Sequence, residues 1–202
     1  DGMGSSGEGV WNGIRYDFSE HWFQKWCTIL ERKVGRRLLS FACRHHMYEI
    51  VLQKIFSMTL GETCGPDIEI FKRFKSQWKF IDHGFFRTAA ADRKMKIDDI
   101  IQEEVLQFCQ LKLHDAQPRE DYLELLNLTI IFLGSEPPNG INFKAPGGLH
   151  NARWMARLQY SFKVYMFGTT SKRKSHKVFK LTAKEEDGFR EFLLFAIVGG
   201  YI

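Results

Sequence analysis

The sequence predicts a mainly α-helical protein with a small β component. Apolar residues recur at helical spacing along most of the chain. Residues 38–42 form the one short apolar run that we interpret as a strand. Apolar residues make up 44% of the chain and aromatic residues 14%, which favours a packed core over disorder.

The predicted helices of the N-terminal half follow one another closely. The first begins after Ser19, a residue type that caps helices, and it ends at Gly35. The apolar run at 38–42 leads into a second helix over 46–60. A third helix covers 68–81 and turns its basic residues mostly outward: Lys72, Arg73, Lys75 and Lys79.

The second half continues with a loop at 83–94 and a helix over 97–113. Residues 122–133 are apolar on nearly every face, which predicts a central buried helix. Its Glu124 would then be a carboxylate in apolar surroundings. A stretch rich in Pro and Gly at 135–148 is typical of a linker.

Two more helices complete the prediction. The first begins at Arg153-Trp154 and runs to about Phe167. The second begins after Thr182, which forms a capping box with Glu185 three residues later. We expect residues 1–18 to be a flexible N-terminal segment and residues 19–202 to be a single mostly helical domain. An apolar C-terminal end predicts that the chain is a fragment of a longer protein.

Composition narrows the class of protein. The four cysteines are far apart and form no Cys-x-x-Cys pair, which favours reduced thiols in an intracellular protein of the nucleus or cytoplasm. No apolar run reaches the roughly 18 residues that span a bilayer, so we expect no membrane partner. A net charge of +5 is compatible with phosphate binding, although many proteins that bind no nucleic acid share it. No small-molecule substrate is indicated.

A cysteine and two histidines lie close together at residues 43–46. With Cys64 they could supply four zinc ligands: Cys43, His45, His46 and Cys64. Zinc sites usually draw on two closely spaced pairs, and the sequence contains one. We therefore favour a structural interpretation without metal, in which Cys43 is a small buried residue.

Two further motifs could contact nucleic acid. Trp154 could stack on an unpaired base while Arg153 neutralises a phosphate, or both could be structural. The densest basic run, at residues 171–177, could bind phosphates, act as a nuclear-import signal or form a solvated loop. Its cationic residues are Lys172, Arg173, Lys174 and Lys177.

Catalytic carboxylates are harder to find. Metal-dependent phosphoryl transfer needs two or three carboxylates that share divalent ions. The weak candidates are Asp17, Glu185 and Glu186, and no motif fixes their role. We expect no cofactor, and Mg²⁺ only if an acidic triad is complete.

Several stretches of the chain resemble a family of transposon-derived proteins of invertebrate genomes. They are residues 27–31, 38–49, 65–68 with 71–74, 145–156 and 180–186. The order of a Cys-x-x-His motif, Cys43 to His46, and then Arg153-Trp154 is similar to that of hAT-type transposases. The resemblance implies a partial RNase H-like domain with a helical insertion and, in active relatives, an Asp-Asp-Glu triad with divalent metal.

The chain departs from that pattern at its acidic residues. The family's Asp-containing motif would lie shortly before residue 27, but residues 11–25 contain one aspartate, Asp17, without matching neighbours. The closing glutamate would correspond to Glu185 or Glu186, or lie beyond the chain. The resemblance thus implies a transposase-derived domain that no longer cuts DNA and retains DNA binding. The alternative is a helical protein-interaction module that self-associates and has no nucleic-acid role.

Overall fold

A computed structural model describes residues 28–29, 31–37, 44–61, 68–115, 119–147, 154–170 and 179–199, with the backbone alone at 44–46 and 154. The chain divides into two compact units, residues 1–43 and 44–202. The predicted boundary at residue 18 and the predicted strand at 38–42 lie outside the described residues.

The described part of the first unit is the end of a helix. Residues 28–29 and 31–34 are helical. Gly35 follows with a positive φ of 70°, and its N–H donates to the Glu31 carbonyl over 2.8 Å. A left-handed glycine at this position satisfies a carbonyl that the helix leaves unpaired. The prediction that this helix ends at Gly35 is confirmed.

The second unit is mainly helical, as predicted. Its helices are α1 Arg44–Leu60, α2 Glu69–Gln77, α3 Asp99–His114, α4 Glu120–Phe132, α5 Trp154–Phe167 and α6 Ala183–Val198, with 3-10 helices at Trp78–Phe80 and Ala89–Ala91. The strands β1 Gly168–Thr169 and β2 Phe179–Lys180 pair in parallel, with Gly168 opposite Phe179. The small β component is confirmed, but at a place where the sequence predicted no strand. None of the helices described is long and apolar enough to cross a membrane.

The centre of this unit is α5. Residues 160–168 are buried without interruption, and α5 packs against α1, α2, α4 and α6. The predicted buried helix, α4, is confirmed as largely buried from Leu125 onward. The helix α4 packs on one side of α5. Other helices pack on the remaining sides, because α5 carries large apolar side chains on every face.

One face of α1 is buried, and another exposes apolar side chains. Leu52 and Phe56 are buried, whereas Met47 and Met58 are exposed. Phe56 lies edge-on to the rings of Phe71, Phe189 and Phe192, at centroid distances from 5.2 to 6.4 Å. Apolar residues occur on more than one face of α1, and ring packing decides which face is buried.

The linker-like stretch packs against α5. Residues 135–147 are neither helix nor strand, as the Pro and Gly content predicts. The Phe143 ring lies 4.8 Å from that of Phe167. The carbonyl of Lys144 accepts a hydrogen bond from Lys163 Nζ over 2.8 Å, and that of Gly147 accepts one from Tyr160 Oη over 2.5 Å.

Candidate nucleic-acid interface

Arg73 connects α2 to β2 and α6. Its Nη2 donates to the Lys180 carbonyl over 3.4 Å and to Glu185 Oε1 over 2.9 Å. The guanidinium carbon lies 5.0 Å from the centroid of the Phe179 ring, within the range of a cation–π contact. Phe179 is itself buried and packs edge-on against Phe74 of α2, at 5.1 Å. These contacts fix α2 beside the second strand.

The outer face of α2 is basic. The helix buries Phe71 and Phe74 and leaves Lys72 and Lys75 exposed, with Lys79 exposed in the 3-10 helix that follows. Lys72 and Lys75, three positions apart, lie on one face of α2, and Lys79 is exposed directly after that helix. The predicted outward orientation of these lysines is confirmed.

Two more lysines extend this face. Lys180 is exposed at the end of β2, and Lys184 is exposed in the first turn of α6. A positive charge in the first turn of a helix opposes the helix dipole, so Lys184 does not stabilise α6. The α2–β2 basic surface is defined here as Lys72, Lys75, Lys79, Lys180 and Lys184.

Charge is unevenly distributed along the described chain. Residues 69–94 contain seven lysines and arginines against three aspartates and glutamates. Residues 96–136 contain three against nine. The acidic segment includes α3 and α4, which pack on each other, while α2 packs on α5. The basic surface therefore belongs to different elements from the acidic segment.

The predicted catalytic carboxylates of α6 have structural partners. Glu185 Oε2 accepts from the Thr182 N–H over 2.7 Å, and Thr182 Oγ1 accepts from the Glu185 N–H over 3.2 Å, so the capping box is confirmed. Glu185 also binds Arg73, and Glu186 forms an ion pair with Arg87. Both carboxylates thereby anchor the start of α6.

A second polar cluster lies beside α5, and it was not predicted from the sequence. Arg87 Nε donates to the Tyr165 carbonyl over 2.7 Å, and its guanidinium lies 3.9 Å from the Tyr165 ring centroid. The Tyr165 hydroxyl and Arg190 Nε both donate to Asp92 Oδ2, and Arg190 also pairs with Asp187. Burial raises the pKa of Tyr165. Arg190 and Asp92, which share a hydrogen bond in this cluster, are 98 positions apart, so no local motif could reveal it.

A buried lysine accounts for the carboxylate that the sequence placed in apolar surroundings. Lys163 is 3% exposed and forms an ion pair with Glu124. Burial lowers the pKa of Lys163, and the negative charge of Glu124 opposes that shift. Burial, with the Glu124 charge, raises the pKa of Tyr160 to about 12. The pair is largely shielded from water, with the Glu124 side chain 18% exposed.

The remaining predicted site residues are only partly visible. Trp154 begins α5, so the predicted helix start is confirmed for its backbone. The side chains of His45, His46 and Trp154 are outside the described part of the structure. The other predicted site residues lie wholly outside it: Asp17, Cys43, Cys64, Arg153, Lys172, Arg173, Lys174 and Lys177. Within the described ranges, no three His, Cys, Asp or Glu side chains are grouped so that they could hold a metal ion.

Comparison with known proteins adds no relative. No family model, no curated protein and no solved structure matches the chain. The resemblance to hAT-type transposases therefore rests on the sequence motifs alone.

Proposed function

We propose that this protein binds nucleic acid through the phosphate contacts of the α2–β2 basic surface. The observation that carries the proposal is the position of Arg73, which links α2 to β2 and α6, three elements that each carry at least one exposed lysine. Exposed ammonium groups on linked elements are suited to a backbone that carries a negative charge at every nucleotide.

The basic run at residues 171–177 adds to this proposal. In the sequence it connects β1 to β2, and β2 carries Lys180 of the basic surface. Each phosphate that a lysine or arginine neutralises releases counterions, so affinity should fall steeply as salt rises. Such binding reads the backbone and has little dependence on base sequence.

Descent from a hAT-type transposase with an RNase H-like domain remains part of the proposal, and it is supported by the Cys43-x-x-His46 and Arg153-Trp154 motifs. The described residues contain one sheet of two two-residue strands. The proposal is of binding without cleavage, because the sequence supplies no motif for a complete acidic triad. A nuclear location would follow from this function.

The test is fluorescence-anisotropy titration of the purified chain against a labelled DNA duplex over a salt series. We expect binding at low ionic strength with a steep salt dependence. The variant K75E/K79E should weaken binding about tenfold or more and reduce the salt slope by about two. The matched control K96E/K112E makes the same charge change in the acidic segment. Its salt slope should be almost equal to that of the wild type.

Two outcomes would contradict the proposal. One is no binding to duplex at low ionic strength. The other is equal weakening by K75E/K79E and by K96E/K112E, since that would reflect net charge and no defined surface. A triple variant, in which glutamine replaces Lys172, Arg173 and Lys174, tests separately whether the basic run contributes. We expect a further loss of salt-sensitive affinity.

A second candidate function is self-association through α3. Ile100, Phe108 and Leu111 are exposed on this helix, and Ile100 and Leu111, eleven positions apart, lie on one face. Glu103 and Glu104 occupy the same helix and make it unsuitable for a nucleic acid. A second copy that covers this apolar face would remove it from water.

Sedimentation over a concentration series tests this alternative. Self-association through α3 predicts an average mass that rises with concentration in the wild type and stays monomeric in I100S/L111S. A wild type that stays monomeric over the series contradicts it, whatever the outcome with DNA.

A further inference from the structure

Two phenylalanine rings are exposed immediately after α2. Phe80 is 74% exposed at the end of the 3-10 helix, and Phe85 is 69% exposed five residues later. Leaving a phenylalanine in water forgoes the burial that stabilises most such side chains. Both rings follow the lysines of α2 in the chain, and Lys79 is the direct neighbour of Phe80.

The segment that carries the rings is well ordered by its own contacts. Trp78 and Ile81 are buried on either side of Phe80, and the Ile81 N–H donates to the Trp78 carbonyl over 3.2 Å. His83 stacks on Trp78 at a centroid distance of 4.1 Å. Buried anchors therefore hold the backbone while the two rings point outward.

A tight turn separates the two rings in the chain. The Phe85 N–H donates to the Asp82 carbonyl over 3.2 Å, and the Gly84 N–H donates to Asp82 Oδ1 over 3.1 Å. The one carboxylate between the rings is thus engaged in forming the turn. Phe80, Phe85, Lys75 and Lys79 are all exposed within residues 75–85, and these four side chains are called the aromatic and cationic patch.

We propose that this patch binds unpaired nucleotides, with bases stacked on Phe80 and Phe85 and phosphates beside Lys75 and Lys79. The inference rests on the proposed function and adds to it a preference for single strands. Base stacking on an aromatic ring combined with ammonium contacts to the backbone is the general mode of binding to single strands. A paired base has its faces covered by its neighbours in the duplex.

Charge complementarity distinguishes this patch from the exposed apolar face of α3. Phe80 and Phe85 lie in the segment 69–94, where cations predominate, whereas Ile100 and Leu111 lie in the acidic segment. A polyanion with flat apolar bases matches the first patch on both counts. An apolar partner surface matches only the exposed apolar face of α3.

The experiment compares two oligonucleotides of about 12 nucleotides, a length within the site sizes of single-strand-binding folds. One is oligothymidine, and the other is an abasic chain with the same number of phosphates. The wild type should bind oligothymidine about tenfold or more tightly than the abasic chain. F80A/F85A should lose that difference and leave abasic binding unchanged, while F80Y/F85Y should retain it.

The controls separate this inference from the proposed function. F108A removes an exposed ring from α3 and should change the affinity for neither oligothymidine nor the abasic chain. Thermal unfolding of all variants checks that they fold. Equal wild-type binding to the two oligonucleotides, or equal weakening of both by F80A/F85A, would overturn the stacking proposal and leave the basic surface standing. If F80A/F85A alters only the mass in solution, the rings contact protein and the proposal is wrong. If the wild type binds neither the duplex nor the single strands, both proposals are wrong.

Discussion

Arg190 of α6 donates a hydrogen bond from Nε to Oδ2 of Asp92 over 2.7 Å, and both side chains are largely shielded from water. The same Oδ2 accepts from the Tyr165 hydroxyl of α5. One carboxylate on the loop after α2 and its 3-10 extension therefore joins α5 to α6. Because α6 also carries Lys184 and Glu185, this contact helps to position the basic surface.

Removing the Asp92 charge should destabilise the fold. Asp92→Asn leaves the shielded guanidinium of Arg190 with Asp187 as its remaining carboxylate. Loss of one member of such a buried pair costs several kcal/mol of stability. Because Asp187 still pairs with Arg190, we expect a smaller cost of about 2–3 kcal/mol. Urea unfolding measures it, and the exposed substitution Glu104→Gln serves as control, with an expected change below about 0.5 kcal/mol. A cost for Asp92→Asn no larger than the control's would contradict the assigned role.

The Asp92 contribution should disappear in acid. Burial would raise the pKa of this carboxyl, but hydrogen bonds from Tyr165 and Arg190 outweigh it and lower the pKa from 3.8 to about 2. Between these values the unfolded chain binds the proton more readily than the folded chain. The stabilisation, roughly 2 kcal/mol, is thus complete above pH about 4 and is lost as the pH falls toward 2.

Urea unfolding of the wild type and Asp92→Asn at several pH values across that range provides the measurement. The difference between the two proteins should shrink as the pH falls. A difference that is constant with pH would show that the substitution acts through packing, independently of the Asp92 charge.

The buried ion pair of Lys163 and Glu124 should be strongly coupled. Lys163→Met leaves Glu124 without its ammonium partner and the Lys144 carbonyl without a donor, and we expect a cost of about 3 kcal/mol. K163M/E124L removes both charges, so its cost should be well below the sum of the two single costs. The exposed pair of Lys112 and Asp115 gives the control cycle, with a coupling of about 0.5 kcal/mol or less. Additive costs at Lys163 and Glu124 would contradict the coupling.

Close contact between α1 and α6 depends on a glycine. A Cβ atom at residue 188 would lie 2.5 Å from the Thr59 carbonyl oxygen and 2.8 Å from Leu60 Cδ2. Gly188→Ala should destabilise the protein by about 2 kcal/mol, even though alanine favours helix by about 1 kcal/mol. Gly147→Ala is the control, because nothing lies within 4 Å of its Cβ position. A Gly188→Ala variant as stable as the wild type would mean that the two helices can separate without cost.

The sequence located the helices well because their ends depend on neighbouring residues. Gly35 ends a helix through a bond to Glu31, and the capping box joins residues only three positions apart, Thr182 and Glu185. The predicted helix 68–81 corresponds to α2 and the 3-10 helix after it. Such signals act within one turn and can be read without knowledge of the fold.

The candidate site was less accessible from the sequence. The lysines of α2 could be assigned to an outer face, but the sequence did not show that Arg73 reaches Lys180, 107 positions away. The sequence does not distinguish Phe80 and Phe85 from its other phenylalanines, because a phenylalanine in a chain rich in aromatic residues is expected to be buried. The roles of Arg153, Trp154 and the run at 171–177 stay predictions.

By itself, the sequence determined that this protein is mainly helical and where its helices begin and end, since caps and apolar spacing are local properties of the chain. Only the tertiary structure decided that α5 lies at the centre, that Met47 and Met58 are exposed, and that Asp92 meets Arg190. These outcomes depend on which apolar faces pack best together and on charges brought together from distant positions. Several faces of these helices are apolar enough to be buried, and ring packing in three dimensions selects among them.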